Sequence, residues 1–144
     1  MKVSEILAVK GSKVWSVKAN TTIHDAVRVL VSQKIGALLV LDDKNDIIGI
    51  LTERDIMRAC YEYGTALTST LVEKVMTARV MIATPDDDLD YAMNMMTQNR
   101  IRHIPVMDKD KLQGMISIGD VVKALLRESQ VQIRYLKDYL HGGQ

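Results

Sequence analysis

The sequence contains a single cysteine, Cys60, in 144 residues. One thiol excludes an internal disulfide framework and fits a reducing compartment, so we expect the protein to be cytoplasmic. Charge of one sign is also missing, since 19 basic and 18 acidic residues leave a formal net charge of +1. This balance gives no electrostatic reason to expect a nucleic-acid partner, whose phosphates favour clearly basic surfaces.

Long hydrophobic runs are absent as well. The most apolar stretch, Ile35 to Leu41, has the length of a strand and is too short to cross a membrane. The opening residues MKVSEILAVKGSK lack the apolar core of a signal peptide. With 47% hydrophobic and 26% charged residues, the composition is that of an ordinary soluble globular protein, and we expect no membrane partner.

The familiar motifs of catalysis are missing too. The sequence has no glycine-rich phosphate loop of the P-loop or dinucleotide type and no nucleophile elbow. Its three histidines match no zinc pattern, and the methionines at 93, 95 and 96 are interpreted as core or interface filler. We therefore predict that the protein is not an enzyme and has neither a catalytic cofactor nor a metal site.

What the sequence does contain is an internal repeat. The segment that begins at Val14 aligns with the segment that begins at Val80, at an offset of 66 residues. Farther on, GILTERD (49–55) aligns with GMISIGD (114–120) at an offset of 65 residues, and the lead-ins VSEIL and VEKVM also agree. Because chemical type matches throughout, the sequence predicts two copies of one structural unit.

The hydrophobic patterns change in the same order within each copy. Apolar residues at i, i+3, i+4 and i+7, starting at Ile23 and at Leu89, predict one helix per copy. Thr22 is the expected cap of the first helix, and Asp87 or Asp88 that of the second. Short apolar runs separated by polar turns then predict strands at residues 37–41, 47–51, 104–107 and 112–116.

Each copy is therefore predicted as a strand, helix, strand, strand, helix unit, with Val80–Ala83 as the first strand of the second copy. A unit of this size cannot bury its apolar face alone, so we expect the copies to pack sheet against sheet. We interpret residues 1–144 as a single module, with the first copy at 1–65, the second at 66–127 and a C-terminal helical extension at 128–144.

The start of the last helix in each copy has the composition of a ligand site. Thr52 and Asp55 are three residues apart, as are Ser117 and Asp120, so each pair can share one side of a first helical turn. An ionised Asp only accepts hydrogen bonds and suits the two hydroxyls of a ribose, whereas a hydroxyl and free N–H groups suit a phosphate. The alternative is that each segment simply caps its helix. Its occurrence twice, each time directly after an apolar strand, favours binding.

Two copies in register resemble a CBS domain pair, also called a Bateman module. The resemblance covers about residues 3–126 and is carried by TTIHDAV, IGALLVLD and GILTERD in the first copy and by EKVMT, RIRHIPVMD and GMISIGDVV in the second. It implies an α/β (α+β) fold of two β-α-β-β-α repeats related by pseudo-two-fold symmetry, with ligand clefts built from both copies. It also implies a regulatory, energy-sensing module whose two Asp carboxylates bind the ribose of an adenine nucleotide such as AMP, ADP, ATP or NAD.

The resemblance distributes the remaining candidates over two unequal clefts. The residues of the first cleft are Thr52, Arg54, Asp55, Val80, Ile82, Arg102, His103, Ile104 and Pro105. Those of the second are Lys13, Val14, Ser16, Gly36, Ala37, Leu38, Ser117 and Asp120. We expect the first cleft to be the better phosphate site because Arg102 and His103 can form charge-assisted hydrogen bonds, whereas Lys13 is the expected cation of the second. The alternatives are a solvated surface charge for Arg102 and a packing role for His103.

Adenine would need an apolar slot in each cleft. Val14, Ile35 and Leu38 could line one slot and Val80, Ile82 and Ile104 the other, although each is also an ordinary core residue. Trp15 could stack on a base, but we favour packing on the surface of the subunit.

The C-terminal tail indicates a partner. Nothing breaks a helix from Asp120 to Leu140, and Gly142 follows as a natural stop. Ile133, Leu136 and Leu140 continue an apolar stripe beyond the repeat. Because CBS pairs commonly form flat two-fold dimers, we expect a homodimer, with a client enzyme or transporter as a further partner; the alternative is a helix folded back on its own subunit. A scaffold that binds no ligand and a small enzyme that acts on a nucleotide stay open as other functions.

Overall fold

The computed structural model describes residues 1–141, and its elements follow the repeat in the sequence. In chain order they are α1 (Val3–Lys10), β1 (Ser16–Lys18), α2 (Ile23–Gln33), β2 (Ala37–Leu41), β3 (Ile47–Thr52), α3 (Glu53–Tyr63), a 3₁₀ turn (Gly64–Ser69), α4 (Val72–Val75), α5 (Leu89–Asn99), β4 (His103–Asp108), β5 (Lys111–Ser117) and α6 (Ile118–His141). The predicted mixed fold and the long C-terminal helix are confirmed. The predicted stop at Gly142 lies outside the described residues.

One predicted strand, Val80–Ala83, is wrong. Ala83 alone forms a bridge, parallel to Val106, and it donates to the Pro105 carbonyl at 3.0 Å. In the first copy the matching strand β1 is extended by a hydrogen bond from Leu39 N–H to the Trp15 carbonyl at 3.1 Å. Pro105 occupies the position of Leu39 in the second copy and has no N–H to donate, so the ladder stops at Ala83.

The chain divides into two compact units that do not follow the repeats along the sequence. One unit combines residues 1–12 with the described residues from Ile82 onward, and the other is Lys13–Met81. Helix α1, the lead-in of the first copy, packs with β5 and α6, whereas α4, the lead-in of the second copy, packs with β3 and α3. Each lead-in thus packs in the unit that holds the rest of the other copy, and in this sense the two lead-ins are exchanged. The units therefore differ from the two copies predicted from the repeat, which meet between residues 65 and 66.

The apolar stripe of α2 is buried in the unit of residues 13–81. Ile23, Ala26 and Leu30 pack with Leu38 and Val40 of β2, which carries a run of four buried residues. In the other unit, the predicted role of the methionines as core filler is confirmed at positions 95 and 96, which are 8% and 1% exposed. The periodic apolar stripes of α2 and α5 therefore help to form the core of each unit, and these cores position the last strand and last helix of each copy.

The predicted helix caps are confirmed in the first copy but not in the second. Thr22 Oγ1 accepts a hydrogen bond from the N–H of Asp25 at 3.2 Å. Asp88 occupies the cap position of α5, but its carboxylate lies 2.9 Å from Lys2 Nζ instead of capping the helix. Asp87 accepts from the N–H of Thr84 at 2.8 Å. The Lys2 cation and the backbone N–H groups at the helix start compete for this carboxylate, and the ion pair is the contact that forms.

A glycine in the last strand of each copy allows the exchanged lead-in to approach closely. A Cβ atom on Gly49 would overlap Met76 Sδ and lie 3.1 Å from the carbonyl oxygen of Thr77. A Cβ atom on Gly114 would lie 2.8 Å from Leu7 Cδ2. The two glycines open the aligned GILTERD and GMISIGD segments, so the same packing requirement explains both.

We predict that Gly49→Ala lowers the free energy of unfolding by about 1–3 kcal/mol, because the added methyl group overpacks this contact. Gly119→Ala is the matched control. Its new methyl group would meet only Ser117 Oγ, at 3.6 Å, and alanine is favoured over glycine in a helix such as α6. Urea unfolding followed by circular dichroism measures both variants, and equal stability of the two would contradict the close approach.

Candidate ligand site

Asp55 lies in the first turn of α3 and is 6% exposed. Its Oδ2 accepts hydrogen bonds from the N–H of Thr52 at 2.9 Å and from Thr52 Oγ1 at 3.1 Å, while Thr52 Oγ1 accepts from the N–H of Asp55 at 3.3 Å. The other oxygen, Oδ1, accepts from Thr77 Oγ1 at 2.9 Å. The capping box is therefore complete, and a third donor from the lead-in satisfies the buried carboxylate.

Thr77 is a functional candidate that the sequence analysis missed. It follows α4, 22 residues from Asp55, and two backbone hydrogen bonds of 2.9 Å with Ile50 fix its position beside β3. Its hydroxyl can reach Asp55 because Gly49, next to Ile50, leaves room for the lead-in. The sequence signal was the threonine that ends EKVMT, but only the exchanged packing of the lead-in gives that residue a partner.

Asp120 lies in the first turn of α6 and its side chain is 21% exposed. Its Oδ2 accepts from the N–H of Ser117 at 2.8 Å, and its own N–H donates to Ser117 Oγ at 3.2 Å. The same Oδ2 lies 2.7 Å from Lys10 Nζ, which also donates to the Met115 carbonyl at 2.7 Å. The second acid thus has the same local cap as the first, with a cation where Asp55 has a neutral hydroxyl.

The pKa of Asp120 reflects these neighbours. Burial is the largest single influence and raises the pKa, but the hydrogen bonds from Lys10 and Ser117 and the charge of Lys10 together hold the pKa below its ordinary value of 3.8. Because the folded-state pKa is the lower one, ionised Asp120 stabilises the fold above the unfolded-state pKa. This stabilisation is lost as the pH falls through the folded-state pKa.

Lys10 was not among the residues singled out in the sequence, whereas Lys13 was expected to be the cation near Asp120. In the structure, Lys13 belongs to the unit of residues 13–81, and its Nζ lies 4.4 Å from the centre of the Trp15 ring. Trp15 itself packs against the core of that unit, in agreement with its interpretation as a packing residue. The predicted contact of Lys13 with a ligand stays a prediction.

The residues that precede β2 and β4 lie beside the last helix of their own copy. The N–H of Glu53 donates to the Gly36 carbonyl at 3.1 Å, and the N–H of Ile118 donates to the Arg102 carbonyl at 2.8 Å. One of the N–H groups at each helix start is therefore already paired. Within the two units, Gly36 lies with the helix of Asp55, and Arg102 lies with the helix of Asp120.

The first residue of β2 and of β4 also lies beside the start of the last helix of its own copy, through strand pairing. Ala37 pairs with Thr52 across β2 and β3, and His103 pairs with Ser117 across β4 and β5. The structure thus brings each strand start to the acid of its own copy. The expectation that each acid also faces the strand start of the other copy stays a prediction.

The other candidates differ in accessibility. Leu38 and Ile104 are 0% exposed, which supports the alternative that they are core residues. Ala37 and Pro105 are also buried, and Val14 and Val80 are half-buried. The exposed candidates are Lys13, Ser16, Arg54, Ile82 and Arg102. A ligand could therefore reach the charged candidates and the half-buried valines without moving the core.

An open groove of about 470 Å³ lies in the unit of residues 13–81. Its lining consists of Val27, Leu30, Val31, Lys34, Ile35, Glu53 and Ile56. The groove includes Ile35, which was predicted to line an adenine slot, and the first residue of α3, but neither Thr52 nor Asp55 lines it. The groove therefore adjoins the start of α3 but does not include Asp55, the residue predicted to bind the ribose.

Within residues 1–141, no three His, Cys, Asp or Glu side chains are grouped so that they could hold a metal ion. None of the described helices combines the length and the apolar character needed to cross a membrane.

The family of the chain follows from comparison with known proteins. The model of the CBS domain matches twice, at residues 3–62 and 72–127. The chain is also 38% identical over 137 residues to the mitochondrial CBS domain-containing protein CBSX3 of Arabidopsis thaliana, covering 92% of this chain and 66% of that relative's length. The protein described here therefore belongs to the CBS domain family, as a pair of repeats.

Solved structures agree with this assignment. The CBS-domain containing protein ATU1752 from Agrobacterium tumefaciens is 39% identical, has a TM-score of 0.84, and aligns over 85% of this chain and 92% of its own. The CBS domain pair of protein MJ0100, in complex with 5'-methylthioadenosine and S-adenosyl-L-methionine, aligns over 89% of this chain and 98% of its own with a TM-score of 0.76. At 24% identity, this second likeness shows the shared fold alone.

We predict that Asp120→Asn lowers the free energy of unfolding at pH 7 by about 1 kcal/mol or less, because the ion pair with Lys10 is partly exposed to solvent. The difference from the wild type should begin to shrink as the pH falls below the unfolded-state pKa of about 4, and should be lost once the pH passes through the lower folded-state pKa of Asp120. Urea unfolding at several pH values measures this difference. A difference that stays constant down to about pH 2 would contradict a lowered pKa of Asp120.

Proposed function

We propose that this protein is a regulatory module that binds an adenine nucleotide, such as AMP, ADP, ATP or NAD, in clefts between its two CBS repeats. The observation that carries the proposal is the pair of equivalent helix starts, Thr52 to Asp55 and Ser117 to Asp120. Each places a carboxylate beside a hydroxyl group in a first helical turn. Carboxylate oxygens suit ribose hydroxyls, and a helix start suits a phosphate.

The fold supports this ligand class. A protein of the same fold is in complex with two compounds that contain adenosine, so the fold is able to hold that group. Proteins with CBS domain pairs are generally regulatory. In the proposal, Arg102 and His103 at the start of β4 face Asp55. Gly36, which precedes β2, and Lys13, which precedes β1, face Asp120.

Signalling without catalysis completes the proposal. Nucleotide binding shifts the geometry of a dimer or of a client protein, which requires a different ligand affinity in the two arrangements. The protein is not itself an enzyme in this proposal. We place it in the cytoplasm because its thiol, Cys60, is free and exposed, which suits a reducing compartment.

A second function, a scaffold subunit that binds no ligand, is favoured by one observation. The carboxylate of Asp55 is buried and already accepts three hydrogen bonds from Thr52 and Thr77. A complete capping box of this kind needs no ligand. The two functions differ in one measurable property, since only a sensor is stabilised by nucleotides.

Thermal melting with AMP, ADP, ATP and NAD distinguishes them. We expect at least one nucleotide to raise the melting temperature, because binding to the native state at 100 times Kd adds about 2.7 kcal/mol of stability. The double variant Asp55→Asn, Asp120→Asn should bind that nucleotide at least ten times more weakly in isothermal titration while keeping the shape of both caps. Asp90→Asn, in the first turn of α5, is the matched control and should bind normally.

A wild-type protein that no nucleotide stabilises would favour the scaffold. Undiminished binding by the double variant would show that the ligand lies elsewhere. Either result contradicts the proposal. The two are distinguishable because the first shows that no nucleotide binds, whereas the second shows that a nucleotide binds without the two carboxylates.

We also propose that a second copy of the chain covers the exposed apolar side of α6. Its members are Val122, Leu126, Ile133, Leu136 and Leu140, which are 43–72% exposed. They follow the spacing of three and four residues of a heptad, except that the polar Ser129 stands at the position between Leu126 and Ile133. A single stripe of this period suits a second helix of the same kind, because a two-fold axis pairs the stripe with itself. The stripe continues past the end of the repeat, where nothing in the described unit covers it.

We predict that Leu136→Glu converts the dimer to a monomer in sedimentation experiments, because the change buries a charge in the proposed interface. Val131→Glu is the matched control. Val131 is 68% exposed on the other side of α6, so this variant should remain a dimer. A wild-type protein that is monomeric at every concentration would contradict the proposed interface.

A further inference from the structure

Asp120 holds the end of the first lead-in helix. Lys10 is the last residue of α1, and its Nζ is bound to Asp120 Oδ2 and to the Met115 carbonyl, both at 2.7 Å. Directly after Lys10, the chain runs through Gly11 and Ser12 and leaves this unit for the other. The ion pair therefore fixes the point at which the lead-in ends and the connection to the second unit begins.

Oδ2 of Asp120, the oxygen that Lys10 contacts, cannot accept a further hydrogen bond. A carboxylate offers about four lone-pair positions, two on each oxygen. The N–H of Ser117 and the Nζ of Lys10 take both positions on Oδ2, at 2.8 and 2.7 Å. A ribose that binds with two adjacent hydroxyls, one on each carboxylate oxygen, must therefore displace one of these donors. Ser117 is held by the capping box and by its pairing with His103 in the sheet, so Lys10 is the donor that can leave.

We infer that Asp120 is an exchange point, at which the ribose of a bound nucleoside replaces Lys10, removes one of the two contacts of its Nζ and so loosens the end of α1. This inference rests on the proposed function, because it concerns the same carboxylate. Lys10 keeps its hydrogen bond to the Met115 carbonyl when it leaves Asp120, so the replacement does not strand a buried charge. Occupancy of the site is thereby converted into a loosening of the segment that leads to the second unit.

Asp55 shows the same principle with a different donor. Thr77 directly follows the second lead-in VEKVM and donates to Asp55 Oδ1, while Thr52 supplies both hydrogen bonds on Oδ2. Both acids thus anchor a lead-in segment at the end that precedes a crossing between units. Asp120 is the more accessible of the two, since Asp55 is 6% exposed and the side chain of Asp120 is 21% exposed.

The exchange predicts that Lys10→Met binds adenosine about two to five times more tightly than the wild type. The gain arises because the ligand no longer competes with a partly exposed ion pair, which is worth up to about 1 kcal/mol. Adenosine is the probe because it carries no phosphate, so the charge of Lys10 has no other group to attract. Isothermal titration measures the affinity, and the effect should vanish when Lys10→Met is combined with Asp120→Asn.

Lys2→Met is the matched control. Lys2 precedes α1 in the same unit and pairs with Asp88 at 2.9 Å, so the variant removes an ion pair of the lead-in without touching Asp120. Its adenosine affinity should stay within twofold of the wild type. An equal gain in both variants would overturn the inference, because it would reflect a general loosening of α1.

Hydrogen exchange supplies an independent readout. Saturation of the wild type with adenosine should speed amide exchange at the end of α1, including the N–H of Gly11, which donates to the Leu7 carbonyl at 2.7 Å. An unchanged rate of amide exchange there would overturn the inference that ribose replaces Lys10, and so would an unchanged or weakened adenosine affinity of Lys10→Met. Either result would leave the proposed nucleotide site in place. Failure of the wild type to bind adenosine or any nucleotide would overturn the proposed function and this inference together.

Discussion

The structure depends on one local interaction, the hydrogen bond that an acid in the first turn of the last helix accepts from the residue that caps this helix. In both copies this bond reaches the N–H of the capping residue, at 2.9 Å for Asp55 and 2.8 Å for Asp120. It turns the chain from the last strand into the last helix with the carboxylate held against the backbone. The free positions of that carboxylate then decide what else the acid can bind, and in both copies a lead-in segment has taken one of them.

The exchanged lead-ins explain why the glycine and the acid occur together. Gly49 admits the segment that carries Thr77, and Gly114 admits Leu7, one helical turn before Lys10. A larger residue at either glycine would move the donor away from its acid. The spacing between glycine and acid is thus a packing requirement within each unit, whether or not a ligand binds.

The sequence predicted most elements because each has a local cause. The bounds of β2 were predicted to the residue, and α2 begins where its apolar period and the cap Thr22 predicted. The failures have non-local causes. The strand before α5 is lost through Pro105, which is adjacent only in space, and Asp88 leaves its cap for Lys2, 86 residues away. Lys10 and Thr77 were missed for the same reason, since only the exchange of lead-ins brings them to the two acids.

The partners of the two acids also bear on which of them suits a phosphate-bearing ligand. The expectation that favoured Asp55 depends on Arg102 and His103 reaching it from the other repeat. Within its own unit, Asp55 accepts from the neutral donors of Thr52 and Thr77, whereas Asp120 is paired with a cation, Lys10.

An incoming phosphate adds negative charge next to whichever acid binds the ribose, so a compensating cation in the same unit lowers the cost of that approach. Within the units alone, Lys10 therefore favours Asp120 for an anionic ligand, whereas the proposed approach of Arg102 and His103 from the other repeat would favour Asp55.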